Sequence, residues 1–446
     1  MAEKDSIFIY ARVKAVTLGC KLNFAETSAL CDRLTAAGAH MAEKDESATL
    51  CLINTCSVTD TADRKCRQAI RHIRRENPNA LLVVMGCYAQ LKPKEVAEIE
   101  GVGLILGTEQ KARAFDLIAD AWRKHTEAPE AAQQDTHTSP LGHIRTFAPS
   151  CSQGDRTRYF LKVQDGCDYF CTYCAIPFAR GRSRSASIAD VVRQAEQVAE
   201  RGGKEIVLTG VNTGDFGRGS EENFLQLIQA LDRVEGISRY RISSIEPNLL
   251  SQEIIDFCAQ SRAFMPHFHI PLQSGSDEVL RLMRRHYDTD FFKKKVEAVL
   301  QAMPDAFIGI DVITGTRGET PELFEETVRF LEDLDFAALH VFTYSERAGT
   351  KALEIPYSVP SDEKHRRTRT LLALSEKKQR TFYHRYIGTH RPVLWEHGTH
   401  SGQPQQGFTD NYIRCELTPS QPLRDENELR RERLTAPLPS GHLGVE

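Results

Sequence analysis

The chain has 446 residues, of which 41% are hydrophobic and 26% are charged, and its formal net charge is −4. This length exceeds what one hydrophobic core supports, so we expect two or three domains. The small net charge gives no argument for nucleic-acid binding by the whole molecule, and any such argument must rest on local basic patches.

The sequence also bears on location. It lacks the apolar run of about 18 residues that a membrane-spanning helix needs, and its first residues, MAEKDSIFIY, do not resemble a signal peptide. We therefore expect a cytoplasmic protein that does not contact membranes. In that compartment the 12 cysteines favour metal binding or redox chemistry over disulfides.

Residues 1–125 alternate short apolar runs with amphipathic stretches. Strands are predicted at 13–18, 49–54, 80–85 and 103–106, with helices near 24–37, 60–75, 92–99 and 110–123. This alternation predicts an α/β domain with a doubly wound parallel sheet. Residues 126–155 lose the periodicity and are predicted to form a linker.

Alternation resumes over residues 156–380, with six strands predicted at 159–164, 205–210, 240–245, 267–272, 307–313 and 338–344. Six βα units predict a partial (β/α)6 barrel, because a complete eight-unit barrel needs about 250 residues. Residues 381–446 are strand-like and rich in Gly and Pro, which predicts a small C-terminal β-barrel.

The strongest chemical signal is GCDYFCTYC, which spaces Cys167, Cys171 and Cys174 as C-x3-C-x2-C. Three thiolates on one loop can hold three irons of a [4Fe–4S] cluster and leave the fourth iron open. The alternative is a structural zinc site, which normally takes four protein ligands. No His or Cys lies between Cys174 and Cys258, and upstream Cys151 lies in the predicted linker, so the cluster is favoured.

A second set of cysteines is defined by position. Cys20, Cys56 and Cys87 each lie just past the end of a predicted parallel strand. Such ends meet at one crevice in open α/β sheets, so the three thiolates could hold a second cluster. Taken singly, each could instead be a small buried residue, but their shared position favours a common site.

Together these motifs resemble one family. The stretches TLGCKLNFAE, INTCSVTD, GCYAQ, GCDYFCTYCAIPFARGRSRS, EIVLTGVNTGDFG, RISSIEP and HIPLQSGSDEVLRLMRR are similar to those of the radical S-adenosylmethionine methylthiotransferases over residues 13–380. The final segment resembles the small RNA-binding TRAM barrel of many members. CAIPFARGRSRS is most similar to the branch that acts on N6-threonylcarbamoyladenosine in tRNA; sister branches act on isopentenyladenosine in tRNA or on an aspartate of a ribosomal protein.

The resemblance implies the cofactors and partners. Cys167, Cys171 and Cys174 would hold a [4Fe–4S] cluster that binds and cleaves S-adenosylmethionine. Cys20, Cys56 and Cys87 would hold a second [4Fe–4S] cluster that carries the sulfur to be methylated. The implied partners are a tRNA substrate, a flavodoxin- or ferredoxin-like electron donor and a sulfur donor. The chain departs from the family's GFPGE loop at Thr316 and Arg317.

Further residues are candidates for binding S-adenosylmethionine, and most of them end predicted strands. Glu246 could accept hydrogen bonds from ribose hydroxyls or be a helix cap or salt-bridge partner. Helix capping is likewise the alternative for Gln273 and Ser274. The cofactor-binding set is Tyr173, Glu246, Gln273, Ser274, Tyr344 and Ser345.

Arg180, Arg182 and Arg184 follow the C-x3-C-x2-C motif directly and are predicted to contact RNA; a solvated loop would also tolerate them. Two other functions remain open. The first is the same chemistry on a ribosomal protein, which would suit a less basic C-terminal surface. The second is a non-catalytic iron–sulfur RNA-binding protein, which would account for the cysteines but not for Glu246 and Gln273.

Overall fold

The computed structural model describes residues 7–43, 45–128, 133–152, 157–396 and 404–446. Within these residues, no helix is both long enough and apolar enough to cross a membrane. The chain forms an N-terminal α/β sheet, a central open barrel and a small closed β-barrel.

The N-terminal domain is a six-stranded parallel sheet in the order β2-β1-β3-β4-β5-β6. Its strands are β1 Arg12–Thr17, β2 His40–Met41, β3 Leu50–Thr55, β4 Leu81–Gly86, β5 Val102–Leu106 and β6 Asp135–His137. Its helices are α1 Lys21–Ala36, α2 Asp60–Glu76, α3 Cys87–Leu91, α4 Pro93–Ala97 and α5 Ala114–Glu127, and a 3-10 turn spans Glu109–Arg113.

Helices cover both faces of this sheet. Alternate residues of β3 point to opposite faces, so Leu52 packs in a core with α1 and α5, whereas Ile53 packs in another core with α2 and α4. The doubly wound prediction is confirmed. The segment predicted as a linker instead contains two short strands. Residues 135–137 form β6 beside β5, and residues 150–151 form a strand on the central sheet. Residues 129–132 and 153–156 of that segment lie outside the described residues.

The central domain contains the six predicted parallel strands. They are β8 Arg158–Lys162, β11 Glu205–Thr209, β12 Arg239–Ile242, β13 His267–Gln273, β14 Phe307–Thr314 and β15 Ala338–Thr343. Short strands accompany them at β7 Ser150–Cys151, β9 Gln164–Asp165 and β10 Arg184–Ser185. The helices are α6 Ile176–Arg180, α7 Ile188–Glu200, α8 Phe224–Asp232, α9 Gln252–Gln260, α10 Asp277–Leu282, α11 Thr289–Ala302, α12 Pro321–Asp333 and α13 Ser361–His384, with 3-10 turns at Leu141–His143, Thr213–Asp215 and Lys351–Glu354.

These six strands form an open barrel, as predicted. β8, β11 and β12 belong to one sheet, and β13, β14 and β15 to another. Isolated parallel bridges, Tyr240 with Phe264 and Ser244 with His269, join the two sheets. Helix α1 of the N-terminal domain packs against this barrel, where Ala25 contacts Phe160 and Val207.

The C-terminal strands close into a five-stranded barrel in the order β16-β17-β18-β20-β19. They are β16 His390–Trp395, β17 Gln406–Thr409, β18 Arg414–Glu416, β19 Leu429–Pro437 and β20 Leu443–Val445. Arg239 and Arg241, on β12, donate hydrogen bonds to the carbonyls of Phe408 and Thr409 at 2.9 and 2.8 Å. The small barrel is therefore fixed to the starts of the central strands.

Candidate active site

The structure places Cys20, Cys56 and Cys87 at one edge of the N-terminal sheet. They follow β1, β3 and β4, which are adjacent and parallel. Gly19 shows how closely two of these loops approach: a Cβ at this position would lie 2.6 Å from Cβ and 3.0 Å from Sγ of Cys56. Only glycine tolerates this approach together with its φ of +106°.

The environment of these thiols fits a metal cluster. Cys56 and Cys87 are buried and Cys20 is exposed. Burial raises the pKa of Cys56 to about 12, and Cys87 adds to the rise. Burial also raises the pKa of Cys87, although the cations of Arg180 and Lys111 oppose it. Such thiols stay neutral until a metal displaces their protons, and the three together are a donor set suited to iron–sulfur chemistry.

Cys167, Cys171 and Cys174 lie on the loop between β9 and α6. Backbone N–H groups of Tyr169 and Ile176 donate to Sγ of Cys167 and Cys174 at 3.5 and 3.4 Å. Burial raises the pKa of Cys167 to about 12. Hydrogen bonds to sulfur are one means by which proteins tune iron–sulfur clusters, so this loop also fits a cluster.

A cavity of about 360 Å³ opens beside this loop and is lined by all three of its cysteines. Val58 and Thr59, which follow Cys56 closely in the chain, line the same cavity. The cavity wall therefore combines the Cys167–Cys174 loop with the segment that follows Cys56, although Cys20, Cys56 and Cys87 are not among its lining residues. Five of the six residues predicted to bind S-adenosylmethionine line it as well: Tyr173, Glu246, Gln273, Tyr344 and Ser345.

Arg285 connects this cavity to the cysteine loop, a role that sequence reasoning missed. Its guanidinium is buried, forms an ion pair with Glu246 and donates to Sγ of Cys171 at 3.2 Å. Burial raises the pKa of Glu246, while Arg285 opposes the rise. Glu246 is thus a salt-bridge partner at the cavity wall, as the alternative interpretation held, and the MRR motif that contains Arg285 gave no sign of burial.

Two buried polar groups at the cavity have no hydrogen-bond partner among the described residues. They are the hydroxyl of Tyr344 and Nδ2 of Asn212. Unpaired buried donors are unfavourable unless a ligand or water satisfies them, so both groups fit a polar ligand in the cavity. Ser345 accepts a hydrogen bond from the backbone N of Asp60 at 3.0 Å, which fixes the start of α2 to this wall.

Ser274 differs from its prediction. Its side chain is fully buried, and its hydroxyl lies 3.1 Å from Oγ1 of Thr327. It also accepts from the backbone N of Ser276. Ser274 therefore stabilises the turn before α10, which corrects the predicted cofactor contact.

The three arginines predicted to contact RNA differ in their exposure to solvent. Arg180 is 1% exposed and bonds Asp165 and Asn23 at 2.8 and 2.6 Å, so the prediction that it contacts RNA is wrong. Arg184 is mostly buried and bonds Asp165 at 3.2 Å. The side chain of Arg182 is 68% exposed, although its guanidinium lies 3.4 Å from Asp168 and over the ring of Phe170.

The departure at Thr316 and Arg317 is accommodated locally. Thr316 is buried. Arg317 bonds Glu346 and the carbonyl of Ile355 at 2.8 and 3.0 Å. These contacts hold the loop after β14 against the segment after β15.

Comparison with known proteins identifies the family. Residues 12–107 match the uncharacterized protein family UPF0004, and residues 161–331 match the Radical SAM superfamily. The chain is 39% identical over 413 residues to the threonylcarbamoyladenosine tRNA methylthiotransferase MtaB of Bacillus subtilis (strain 168), covering 91% of this chain and 90% of that protein. The chain belongs to the radical SAM methylthiotransferase family. The resemblance seen in the motifs is thereby confirmed, and the protein is a transferase.

Two further relatives and one solved structure are also similar to this chain. MtaB of Aquifex aeolicus (strain VF5) is 34% identical, covering 90% of this chain and 95% of that protein. A tRNA-2-methylthio-N(6)-dimethylallyladenosine synthase of Syntrophotalea carbinolica is 30% identical, covering 87% and 89%. Among solved structures, the radical S-adenosylmethionine methyltransferase TsrM of Kitasatospora setae, with cobalamin and a [4Fe-4S] cluster bound, superposes with a TM-score of 0.53 at 17% identity over 75% of each chain. This last likeness supports the fold.

Proposed function

We propose that this protein converts N6-threonylcarbamoyladenosine in tRNA to its 2-methylthio derivative. The observation that carries the proposal is the cavity that is lined by Cys167, Cys171 and Cys174 and also by Val58 and Thr59, which lie two and three residues after Cys56. Identity of 39% to the Bacillus subtilis protein, against 30% to the dimethylallyladenosine enzyme of Syntrophotalea carbinolica, favours the threonylcarbamoyl substrate over the isopentenyl one.

Two [4Fe–4S] clusters would bind at the two cysteine sets, with S-adenosylmethionine in the cavity. When bound, they supply the radical, the sulfur and the methyl group for the transfer, while the protein supplies orientation and a site that excludes water. Arg285 donates a hydrogen bond to Sγ of Cys171 and forms an ion pair with Glu246. Tyr344 and Asn212, whose buried donors have no partner among the described residues, offer these donors to the polar edge of a nucleoside.

Apolar side chains from both domains form part of the cavity wall. Ile313 and Phe342 lie on neighbouring strands and line the cavity together with Val58. A flat base could pack against such a wall. The wall is formed by both domains, so it exists only when they are held together.

Arg182 is the candidate for contact with tRNA outside the cavity, because it is exposed and follows the cysteine loop. A flavodoxin- or ferredoxin-like protein would deliver electrons, and a separate donor would replace the sulfur. A tRNA substrate supports a cytoplasmic location for the enzyme.

The test compares two substrates. Reconstituted, reduced protein is incubated without oxygen with S-adenosylmethionine and tRNA that carries either N6-threonylcarbamoyladenosine or isopentenyladenosine, and the nucleosides are identified by mass spectrometry. We expect the methylthio product only from the first tRNA, and none from a matched transcript without the threonylcarbamoyl group. Product only from the isopentenyl tRNA would assign the sister activity, and no product from either, with both clusters present, would refute the proposal.

A further inference from the structure

A group of buried charges joins the N-terminal domain to the central barrel. Glu26, on α1, is 2.9 Å from Nζ of Lys162, on β8, and 2.5 Å from Nζ of Lys111. Asp165, on β9, is 2.8 Å from both Lys162 and Arg180. All five side chains are at most 2% exposed. We call these five residues the interdomain charge cluster.

Arg180 extends this cluster to both cysteine sets. It ends α6, which begins just after Cys174. Its Nη2 donates to Oδ1 of Asn23 at 2.6 Å. Asn23 in turn donates through Nδ2 to the carbonyls of Leu18 at 2.8 Å and Thr55 at 3.0 Å.

These two carbonyls lie immediately before the N-terminal cysteine loops. Leu18 is separated from Cys20 only by Gly19, and Thr55 directly precedes Cys56. A continuous path of covalent and hydrogen bonds therefore runs from the Cys167–Cys174 loop, through Arg180, to the loops that carry Cys20 and Cys56.

The charges of the cluster do not balance. Among the described residues, three cations (Lys111, Lys162 and Arg180) face two carboxylates (Glu26 and Asp165) in this cluster. Buried charge without a counter-charge is strongly unfavourable.

Helix α3, which begins at Cys87, packs against α6, which ends at Arg180. The excess positive charge therefore lies beside the N-terminal cysteine set. An anionic, thiolate-bound group at the N-terminal set would supply the missing negative charge.

We propose that Arg180 is a positioning residue that fixes the N-terminal cysteine set relative to the Cys167–Cys174 loop and, with Lys111, provides the counter-charge for the anionic group bound there. This inference rests on the proposed function for the presence of a cluster at the N-terminal set. It goes further by assigning the geometry between the two sites to Arg180 and the charge at one of them to Arg180 and Lys111 together.

Three variants separate position from charge. Arg180→Lys keeps the charge but loses the planar fork that reaches Asn23 and Asp165 together, and Asn23→Ala breaks the same path from its other side. Lys111→Met removes a charge that bonds Glu26 and leaves the Arg180 path intact. Arg193→Met, on an exposed side chain, is the matched control.

Two spectroscopic readouts follow each variant, together with iron content. Electron paramagnetic resonance of the reduced full protein measures the magnetic coupling between the two clusters. Redox titration of a protein that lacks Cys167, Cys171 and Cys174 measures the midpoint potential of the N-terminal cluster alone.

We expect Arg180→Lys and Asn23→Ala to change or broaden the coupling and leave the potential near that of the parent. Lys111→Met should leave the coupling intact and make reduction about tenfold less favourable, which is about 59 mV for one electron. Unchanged coupling in both path variants, or an unchanged potential in Lys111→Met, would overturn the inference while the parent still contained two clusters. A parent with no N-terminal cluster would instead refute the proposed function.

Discussion

Replacing Gly19 by alanine tests whether the loops of Cys20 and Cys56 form one site. The added Cβ would lie 2.6 Å from Cβ and 3.0 Å from Sγ of Cys56, at a φ of +106°. Strain from the positive φ costs about 1 to 2 kcal/mol. Overpacking adds about 1 to 3 kcal/mol, unless the Cys20 loop moves away from Cys56.

Gly202→Ala is the matched control, because Gly202 has a φ of +81° but open space where a Cβ would be. It should show the strain alone. Thermal unfolding of the cluster-free proteins measures the stability cost. Iron and sulfide analysis after anaerobic reconstitution measures binding, and we expect Gly19→Ala to retain about four irons where the parent holds about eight. Parental iron content in Gly19→Ala, with a melting temperature equal to that of Gly202→Ala, would refute the close approach of these two loops.

Three further predictions concern single side chains. Tyr344→Phe removes a buried hydroxyl that has no partner among the described residues, so the stability of the cluster-free protein should stay within about 0.5 kcal/mol of the parent. The Kd for S-adenosylmethionine, measured by equilibrium dialysis on reconstituted protein, should rise about three- to tenfold. An unchanged Kd would remove this residue from the binding site. Burial alone would raise the pKa of Glu26, but the surrounding lysines and arginine lower it. Its ionised form therefore stabilises the fold above the unfolded pKa of about 4.3, and that contribution is lost as the pH falls below this value. Glu26→Gln should be less stable than the parent at pH 7 by about 3 to 5 kcal/mol and should lose less stability on acidification, and a pH profile of melting temperature parallel to that of the parent would contradict this. Arg182→Ala should weaken tRNA binding and reduce its salt slope by about 1, whereas Arg193→Ala should do neither, and equal salt slopes would exclude a phosphate contact by Arg182.

Local sequence patterns correctly predicted the buried strands and the cysteines at their ends. Apolar runs such as residues 307–313 predicted the central strands, because β14 is buried along most of its length. The positions of Cys20 and Cys87 after such runs likewise predicted their placement at one sheet edge. Strand β6 was missed because Asp135–His137 has no apolar pattern and is recruited by pairing with β5.

The fate of Arg180 shows where local reasoning fails. The segment RGRSR has the composition of an exposed loop, yet Arg180 is buried by partners that include Asn23, 157 residues away in the chain. Arg285 was missed for the same reason, since Glu246 lies 39 residues away from it. Alternating arginines carry no signal that distinguishes a buried ion pair from a surface contact until the tertiary structure is known.

The central claim is that two separate cysteine sets each hold a cluster at one active site. It is tested most directly by counting iron and sulfide in the anaerobically reconstituted parent and in two triple Cys→Ala variants, one lacking Cys20, Cys56 and Cys87 and the other lacking Cys167, Cys171 and Cys174. We expect about eight irons in the parent and about four in each variant, with tRNA methylthiolation lost in both variants. About four irons in the parent, with no loss when the N-terminal cysteines are removed, would contradict the account.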